Sequence, residues 1–361
     1  MTVWSEKTPK HGGDVYHLAR TLGVEVKDLL DFSANINPLG FPPEILAAVY
    51  EALEEICHYP DRQCLDLKRE LAAYHRLTPP EILVGNGSTE LIYLIARALR
   101  PGKSLIVAPA FSEYEQALKT AQIPMDFYVT KEAHNFTLNE PLKARGADLI
   151  FLANPASPSG ALLPPERLAP IVAALDAAGV YIVLDEAFID FVEEASLKTY
   201  LGRFPHLLIL RSFTKFFGIP GMRLGYLLAA PDLIARLGAV QEPWSVNTMA
   251  QAMGRACLAA VDFMAQTRDL VTQERQYLLK HLKALPGLTA FPGAVNYLLV
   301  KLTRTGWTAA KLQKDLLAHH IVIRDASNFR GLDERFCRMA VRTREENDRL
   351  LQALEQCLKA E

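Results

Sequence analysis

The sequence has no long hydrophobic run and no excess of basic residues. Its apolar stretches fall short of the roughly 18 residues that a membrane helix needs, and residues 1–10 are polar, unlike the core of a signal peptide. Lys and Arg number 39 against 41 Asp and Glu, a net charge of −2, so no basic excess points to nucleic acid. These absences predict a cytoplasmic protein that binds neither membranes nor nucleic acid.

Cysteine is also scarce. The five cysteines are an odd number, widely scattered and without a C-x-x-C pair. This pattern argues against a disulfide framework and against a zinc site. We therefore expect reduced, structural cysteines and no bound metal.

The chain has ample apolar content, 50% of its 361 residues, for two domains. From residue 82 onward, short apolar runs alternate with helical patterns, which is typical of a mostly parallel sheet with crossover helices. The runs are 82–84, 105–108, 149–152, 181–184, 207–210 and 224–228. Later segments predict a long helical region (249–285), strands at 297–301, 321–324 and 338–342, and helices at 308–318 and from 345. We predict an N-terminal arm (1–42), a large domain (43–245) and a small α+β domain (246–361) with which the arm packs.

One lysine stands out in the stretch R-S-F-T-K-F-F-G-I-P-G-M-R-L-G-Y (211–226). Lys215 lies among small, aromatic and glycine residues, and an apolar setting lowers the pKa of a lysine. Ser212 and Arg223 add a hydroxyl and a fixed cation nearby. An anionic aldehyde such as pyridoxal phosphate (PLP) would need these groups, although a lysine that only caps a helix is the commoner case.

Polar side chains follow several predicted strands. Asp185 and Asn154 each come after an apolar run, and the turn G-N-G-S-T (85–89) precedes a helix. In open α/β sheets, ligands bind outside the carboxyl ends of the strands. Asp185 could pair with a pyridinium N–H or make a structural salt bridge, Asn154 could bind a ring oxygen or form an Asx-turn, and the glycine-rich turn is a phosphate cradle or only a turn.

The order of these features resembles the fold-type I PLP enzymes, the aspartate aminotransferase superfamily. The steps from Asn154 to Asp185, Lys215 and Arg223 are 31, 30 and 8 residues. The resemblance implies an α/β fold, with a large domain on a mostly parallel seven-stranded sheet, and pyridoxal 5'-phosphate as cofactor. It also implies that Lys215 forms the Schiff base and later moves a proton, and that Asp185 pairs with the pyridine nitrogen.

The resemblance assigns the remaining cofactor contacts as well. Asn154 binds the ring oxygen and Phe111 stacks on the ring. Tyr59 reaches the cofactor phosphate of the neighbouring subunit, which implies a homodimer. The residues that hold the phosphate within the subunit are Gly87, Ser88, Ser212 and Arg223.

Other segments resemble the branch of this superfamily that decarboxylates L-threonine O-3-phosphate in cobalamin biosynthesis. They are H-G-G (11–13), D-F-S-A-N-I-N-P-L-G (31–40), D-E-A-F-I-D-F (185–191), P-W-S-V-N (243–247) and I-R-D-A-S-N-F (323–329). The implied products are CO₂ and (R)-1-amino-2-propanol O-2-phosphate. Arg338 would grip the substrate carboxylate, and Arg324, His11 and Asn35 are the candidates for the substrate phosphate. Phe188 stands where the aminotransferases usually carry Tyr.

Three alternatives differ in chemistry. An aminotransferase for histidinol phosphate would share almost every site residue. A serine acyl-enzyme built on Ser212 and Lys215 is excluded, because neither S-D-N nor K-T-G occurs in the chain. A PLP-binding regulator would need an effector module, and no helix-turn-helix or basic segment precedes residue 40.

Overall fold

Thirteen β-strands lie along residues 11–359, which are the residues that the computed structural model describes. They are β1 (Leu30–Asp31), β2 (Ile82–Gly85), β3 (Ser104–Ala108), β4 (Met125–Val129), β5 (Leu149–Ala153), β6 (Tyr181–Asp185), β7 (Leu207–Ser212), β8 (Gly225–Ala229), β9 (Leu288–Ala290), β10 (Tyr297–Leu302), β11 (Ile321–Val322), β12 (Arg324–Asp325) and β13 (Phe336–Ala340).

Twelve α-helices lie in the same part of the chain. They are α1 (Val15–Leu22), α2 (Glu44–Leu53), α3 (Leu65–His75), α4 (Gly87–Leu99), α5 (Ser112–Thr120), α6 (Pro165–Ala177), α7 (Phe213–Phe216), α8 (Pro231–Gly238), α9 (Thr248–Ala259), α10 (Val261–Ala284), α11 (Ala309–Leu317) and α12 (Arg344–Lys359). None of these helices combines the length and the apolar character that a membrane span requires.

A seven-stranded sheet forms the centre of the large domain, in the order β2-β8-β7-β6-β5-β3-β4. All neighbouring pairs are parallel except the two that β8 makes, with β2 and β7. Helices cover both faces, so the central strands are buried throughout and their sequences are nearly continuous apolar runs. The predicted mostly parallel α/β sheet is confirmed.

The sequence analysis missed β4, which lies at one edge of this sheet. Its sequence M-D-F-Y-V is half-buried and includes Asp126, so it does not read as an apolar run. Edge strands of this kind have one side open to solvent, and hydrophobicity alone identifies them poorly.

A four-stranded antiparallel sheet, β12-β13-β10-β9, forms the core of the small domain. Three predicted elements were wrong in detail. The strand predicted at 321–324 is interrupted into β11 and β12, the strand predicted at 338–342 is β13 two residues earlier, and the helical region 249–285 is two helices that meet at Ala260. The sequence analysis also missed β9.

The N-terminal segment connects both domains. Its strand β1 pairs in parallel with β11, and Phe32 bonds through its backbone to Val322 and Ala340. Farther along, the backbone N–H of Asn37 donates to the carbonyl of Lys215. The hydrophobic core around the large sheet also includes α9 and the first half of α10. The division of the chain at residues 42 and 245 stays a prediction.

Candidate active site

The ends of neighbouring strands bring several predicted residues to one edge of the large sheet. Asp185 and Ser212 are the last residues of β6 and β7, and Asp185 is the register partner of Ala153, which precedes Asn154. On β8, Gly225 is the register partner of Ser212. Because adjacent strands lie about 4.8 Å apart, these groups form a short row across the sheet edge.

Lys215 follows β7 directly, within the short helix α7. Its Nζ lies 3.4 Å from Ser212 Oγ and 5.7 Å from the centre of the Phe188 ring. Burial lowers the pKa of Lys215 to about 8, and the nearby charge of Asp185 opposes that shift. Near pH 8, half of the lysine is therefore the free amine that nucleophilic attack requires.

Asp185 is buried and holds one hydrogen bond on each oxygen. The backbone N–H of Ala187 donates to Oδ1 (2.9 Å), and the hydroxyl of Tyr114 donates to Oδ2. Burial raises the pKa of Asp185, while these two donors and Lys215 lower it. The sequence analysis missed Tyr114, which follows Phe111 by three residues and belongs to no motif.

The glycine-rich turn and Arg223 lie against each other. Gly87 begins α4 with φ +76°, and a Cβ at this position would lie 2.6 Å from Arg223 Nη2. Ser88, the next residue, is buried. The free N–H groups of a helix start, a guanidinium and the neighbouring Ser212 hydroxyl are the groups that bind phosphate oxygens.

Asn154 directly follows β5 and Phe111 directly precedes α5, both next to this row. The amide of Asn154 forms two bonds with the backbone of Leu163, donating from Nδ2 (2.9 Å) and accepting at Oδ1 (2.8 Å). One amide N–H is left for a cofactor oxygen. Phe111 precedes α5 as its N-cap residue, and its ring meets Tyr114 edge-on at 6.0 Å. The stacking role of Phe111 stays a prediction.

Two arginines of the small domain face each other across adjacent strands. Arg338 on β13 and Arg324 on β12 are register partners. Arg338 donates to the carbonyl of Ser33 (3.1 Å), and its Nε has no hydrogen-bond partner among residues 11–359. Burial and the charge of Arg324 lower the pKa of Arg338 to about 10, against the opposing effect of Tyr297. Two cations held this close favour an anionic ligand.

The other two predicted substrate residues belong to the N-terminal segment. Asn35 is buried, and its Oδ1 has no hydrogen-bond partner among residues 11–359. His11 Nε2 lies 3.0 Å from Glu113 Oε1, and its ring centre is 5.8 Å from that of Phe111. The structure therefore brings His11 next to the predicted cofactor site, held by a carboxylate that the sequence analysis missed.

Tyr59 lies at the surface. It is 80% exposed, and its ring stacks on Trp244 at 4.7 Å. Such a position suits a side chain that reaches another subunit, and this role of Tyr59 stays a prediction.

A buried ion cluster lies behind the site, on the residues next to Asp185 and Ser212. Arg211 is completely buried and donates to Glu186 (3.2 Å) and Asp190 (2.9 Å), and it also contacts Glu193. The sequence analysis assigned no role to this cluster. The cluster could have been predicted from the alternation of side chains along a strand. This alternation turns Arg211 and Glu186 away from the face that Ser212 and Asp185 occupy.

Comparison with known proteins identifies the family. The model of the class I and II aminotransferase family matches residues 27–354. The chain belongs to this family. It is 39% identical to the threonine-phosphate decarboxylase of Salmonella typhimurium, over 96% of each chain.

Two solved structures are also similar to this chain. The L-threonine-O-3-phosphate decarboxylase from Porphyromonas gingivalis has a TM-score of 0.83 and 30% identity, covering 91% of this chain and 99% of that one. The histidinol-phosphate aminotransferase from Clostridium acetobutylicum has a TM-score of 0.85 and 30% identity, covering 91% and 98%. The predicted superfamily resemblance is confirmed.

The cofactor prediction is confirmed by the family, and the residues fit the cofactor. The chain is a pyridoxal-phosphate-dependent enzyme. Lys215 supplies an amine of lowered pKa, Asp185 a buried carboxylate, and Arg223 with the start of α4 a phosphate site. The individual contacts of these residues with the cofactor stay predictions.

Proposed function

We propose that the protein decarboxylates L-threonine O-3-phosphate to (R)-1-amino-2-propanol O-2-phosphate and CO₂. The observation that carries the proposal is the register pair of the buried Arg324 and the half-buried Arg338, two cations on adjacent strands, of which Arg338 acts electrostatically on Lys215. A small substrate with both a carboxylate and a phosphate offers an anion to each of them. The similarity to the Salmonella typhimurium decarboxylase agrees with this assignment.

Arg338 is the better candidate for the carboxylate. Its Nε has no hydrogen-bond partner among residues 11–359, and its Nη2 already bonds to Ser33, so the guanidinium is held in place with donors still available. A planar guanidinium can bind a carboxylate through two parallel bonds. Arg324 and His11 would then bind the substrate phosphate, with Asn35 as a polar contact.

The cofactor, when bound, withdraws the electron pair that the departing carboxylate leaves on the substrate Cα. Asp185, whose carboxylate lies at the end of the central strand β6, would pair with the ring nitrogen. Lys215 would hold the cofactor, and its Nζ would afterwards return a proton to Cα. The buried setting of these groups excludes water and strengthens each charge interaction.

The choice between losing CO₂ and losing a proton depends on which bond of Cα stands perpendicular to the cofactor ring. By binding the substrate carboxylate, Arg338 would set the angle between that bond and the cofactor ring. Small displacements of a reacting group alter reaction rates by large factors. Phe188 lacks the hydroxyl of the aminotransferases while its ring lies 5.7 Å from Lys215 Nζ. This difference favours the decarboxylase.

The second candidate is a histidinol-phosphate aminotransferase. The similarity to the Clostridium acetobutylicum enzyme, at a TM-score of 0.85, is the observation in its favour. That reaction needs an oxo acid as amino-group acceptor, whereas decarboxylation needs none. The requirement for a second substrate therefore distinguishes the two candidates.

The enzyme assay follows from this difference. The holoprotein is incubated with L-threonine O-3-phosphate without any oxo acid, and released CO₂ is measured over many turnovers. Sustained release supports the proposal, and Arg338→Lys, which keeps the charge but loses the planar fork, should raise KM. Background CO₂ together with glutamate formation from histidinol phosphate and 2-oxoglutarate would refute it.

The product of the proposed reaction would suit the aminopropanol linker of cobalamin, which is the role expected from the sequence. The expected cytoplasmic location stays a prediction.

The proposal includes a homodimer. Leu46, Tyr50 and Leu53 form an apolar stripe on the outer side of α2, and Tyr50 is 71% exposed. Exposed apolar side chains grouped on one helix mark interaction surfaces. Sedimentation should show a dimer that Tyr50→Lys weakens and that Tyr16→Lys, the same change at an exposed tyrosine of α1, leaves intact. A monomer in the unaltered protein would contradict the proposal.

A further inference from the structure

Tyr114 occupies a fixed position behind the cofactor site. Its side chain is buried, and its ring stacks on that of Phe151 at 4.9 Å with an interplanar angle of 15°. The Phe111 ring meets it edge-on from another side. The ring therefore has little freedom, and its hydroxyl has a defined direction.

That hydroxyl donates to Asp185 Oδ2, while the backbone N–H of Ala187 donates to Oδ1 (2.9 Å). Each oxygen of the carboxylate thus has one donor from the protein. The two bonds fix the plane of the carboxylate and leave lone pairs on both oxygens for a further donor. The Tyr114 hydroxyl stays protonated at all working pH values, because burial and the charge of Asp185 raise its pKa well above 10.

At Asp185 burial outweighs the groups that stabilise the carboxylate, so the pKa lies above its ordinary value. Burial raises the pKa of its carboxyl group, while Tyr114, Ala187 and Lys215 lower it. In a water-poor site, a carboxylic acid and a pyridine nitrogen can share their proton in two ways: as a neutral pair, or as a carboxylate with a pyridinium. Donors to the carboxylate favour the second arrangement, because they stabilise its negative charge.

We propose that Tyr114 is a positioning residue that holds Asp185 as an oriented carboxylate, so that the proton of the pair lies on the ring nitrogen of the cofactor. Tyr114 should therefore speed the reaction, because only a protonated ring withdraws electrons strongly from the substrate Cα. The inference rests on the predicted contact between Asp185 and the ring nitrogen. It does not depend on whether the protein is a decarboxylase or an aminotransferase.

The decisive variant is Tyr114→Phe, which keeps the ring and its contacts with Phe151 and Phe111 and removes only the hydroxyl. The matched control is Tyr128→Phe, because Tyr128 also donates to a carboxylate, that of Glu140 (2.9 Å), but in an exposed position. The melting temperature of each apoprotein checks that the fold is kept.

The readout is the ¹⁵N resonance of cofactor labelled at the ring nitrogen, recorded in the holoprotein at one pH. We expect a pyridinium position in the unaltered protein and in Tyr128→Phe, and a shift towards the unprotonated position in Tyr114→Phe. Turnover of Tyr114→Phe should fall about 10- to 100-fold, the usual effect of losing a bond to a charged group, with KM changing little.

A pyridinium resonance in Tyr114→Phe identical to that of the unaltered protein would overturn the inference. So would an unprotonated nitrogen in the unaltered protein. If Tyr114→Phe does not fold, the cofactor affinities of the unaltered protein provide a second test: a 1-deaza analogue, which lacks the ring nitrogen, should bind at least about tenfold more weakly. Equal affinities would show that Asp185 and Tyr114 do not act on that nitrogen.

Discussion

Removal of Arg211 tests the buried ion cluster that lies behind the active site. Arg211 is fully buried and bonds to Glu186 and Asp190, and it also contacts Glu193. Two further cations contact the cluster: Lys198 lies 2.5 Å from Glu193, and Arg268 donates to the backbone carbonyl of Asp190 (2.8 Å). In Arg211→Met the apolar side chain fits the same space, but three carboxylates lose their central partner.

The expected loss is large for a single substitution. Breaking a buried ion pair by removing one partner costs about 3–5 kcal/mol. At an unfolding entropy of about 2.1 cal/mol/K for each of the 361 residues, this corresponds to a fall of roughly 4–7 °C in melting temperature. The fall should depend on pH, because the carboxylates that remain can be neutralised by taking up protons.

The direction of this pH dependence follows from proton binding. Burial already raises the pKa of Glu186 to about 7 with Arg211 present, and loss of the cation raises it further. The folded variant then binds more protons than the unfolded chain above the usual pKa of a glutamate, so its stability falls as pH rises. The stability deficit relative to the unaltered protein should be larger at pH 8 than at pH 6.

Thermal unfolding of the apoproteins at both pH values measures the effect. Arg255→Met is the matched control, because Arg255 is half-exposed and pairs with Glu70 at 2.6 Å, and such a surface pair contributes about 0–1 kcal/mol. A melting temperature of Arg211→Met within about 1 °C of that control would refute the reasoning. A deficit that grows as pH falls would also refute it.

Three further predictions concern the cofactor site. Because the pKa of Lys215 is lowered to about 8, the rate of cofactor attachment to the apoprotein, followed by absorbance, should rise with pH to about 8 and then level off; a rise that continues to pH 10 would contradict this. Gly87→Ala should weaken cofactor binding at least about tenfold, since its Cβ would meet Arg223, whereas Gly146→Ala, also at φ +76° but in open space, should leave the dissociation constant unchanged. Phe188→Tyr should lower the pH midpoint of the cofactor absorption band by adding a hydrogen bond to the ring oxygen, and an unchanged midpoint would remove that idea.

Much of the fold could be predicted because buried parallel strands are apolar on both faces. The run that ends at Asp185 shows both the strand and the polar group at its carboxyl end. The same rule failed for β4, where Asp126 and other half-exposed residues interrupt the apolar pattern. It also misplaced β13, because apolar residues continue past its end to the buried Val341.

The predicted site residues were those that belong to a family pattern, such as Lys215 and Arg223. The residues that support them were not predictable in this way. Tyr114 contacts Asp185 across 71 positions of the chain, and Glu113 meets His11 across 102. Contacts of this range depend on how the helices pack on the sheet, and no spacing in the sequence specifies them.

The proposed reaction is tested most directly by competition. The holoprotein receives equal concentrations of L-threonine O-3-phosphate and histidinol phosphate together with 2-oxoglutarate, and CO₂ and glutamate are measured in the same vessel. The account predicts that CO₂ forms at the rate seen without the oxo acid and that glutamate stays at background. Glutamate formation without CO₂ would contradict the account, and the arginine pair would then have to serve an aminotransferase.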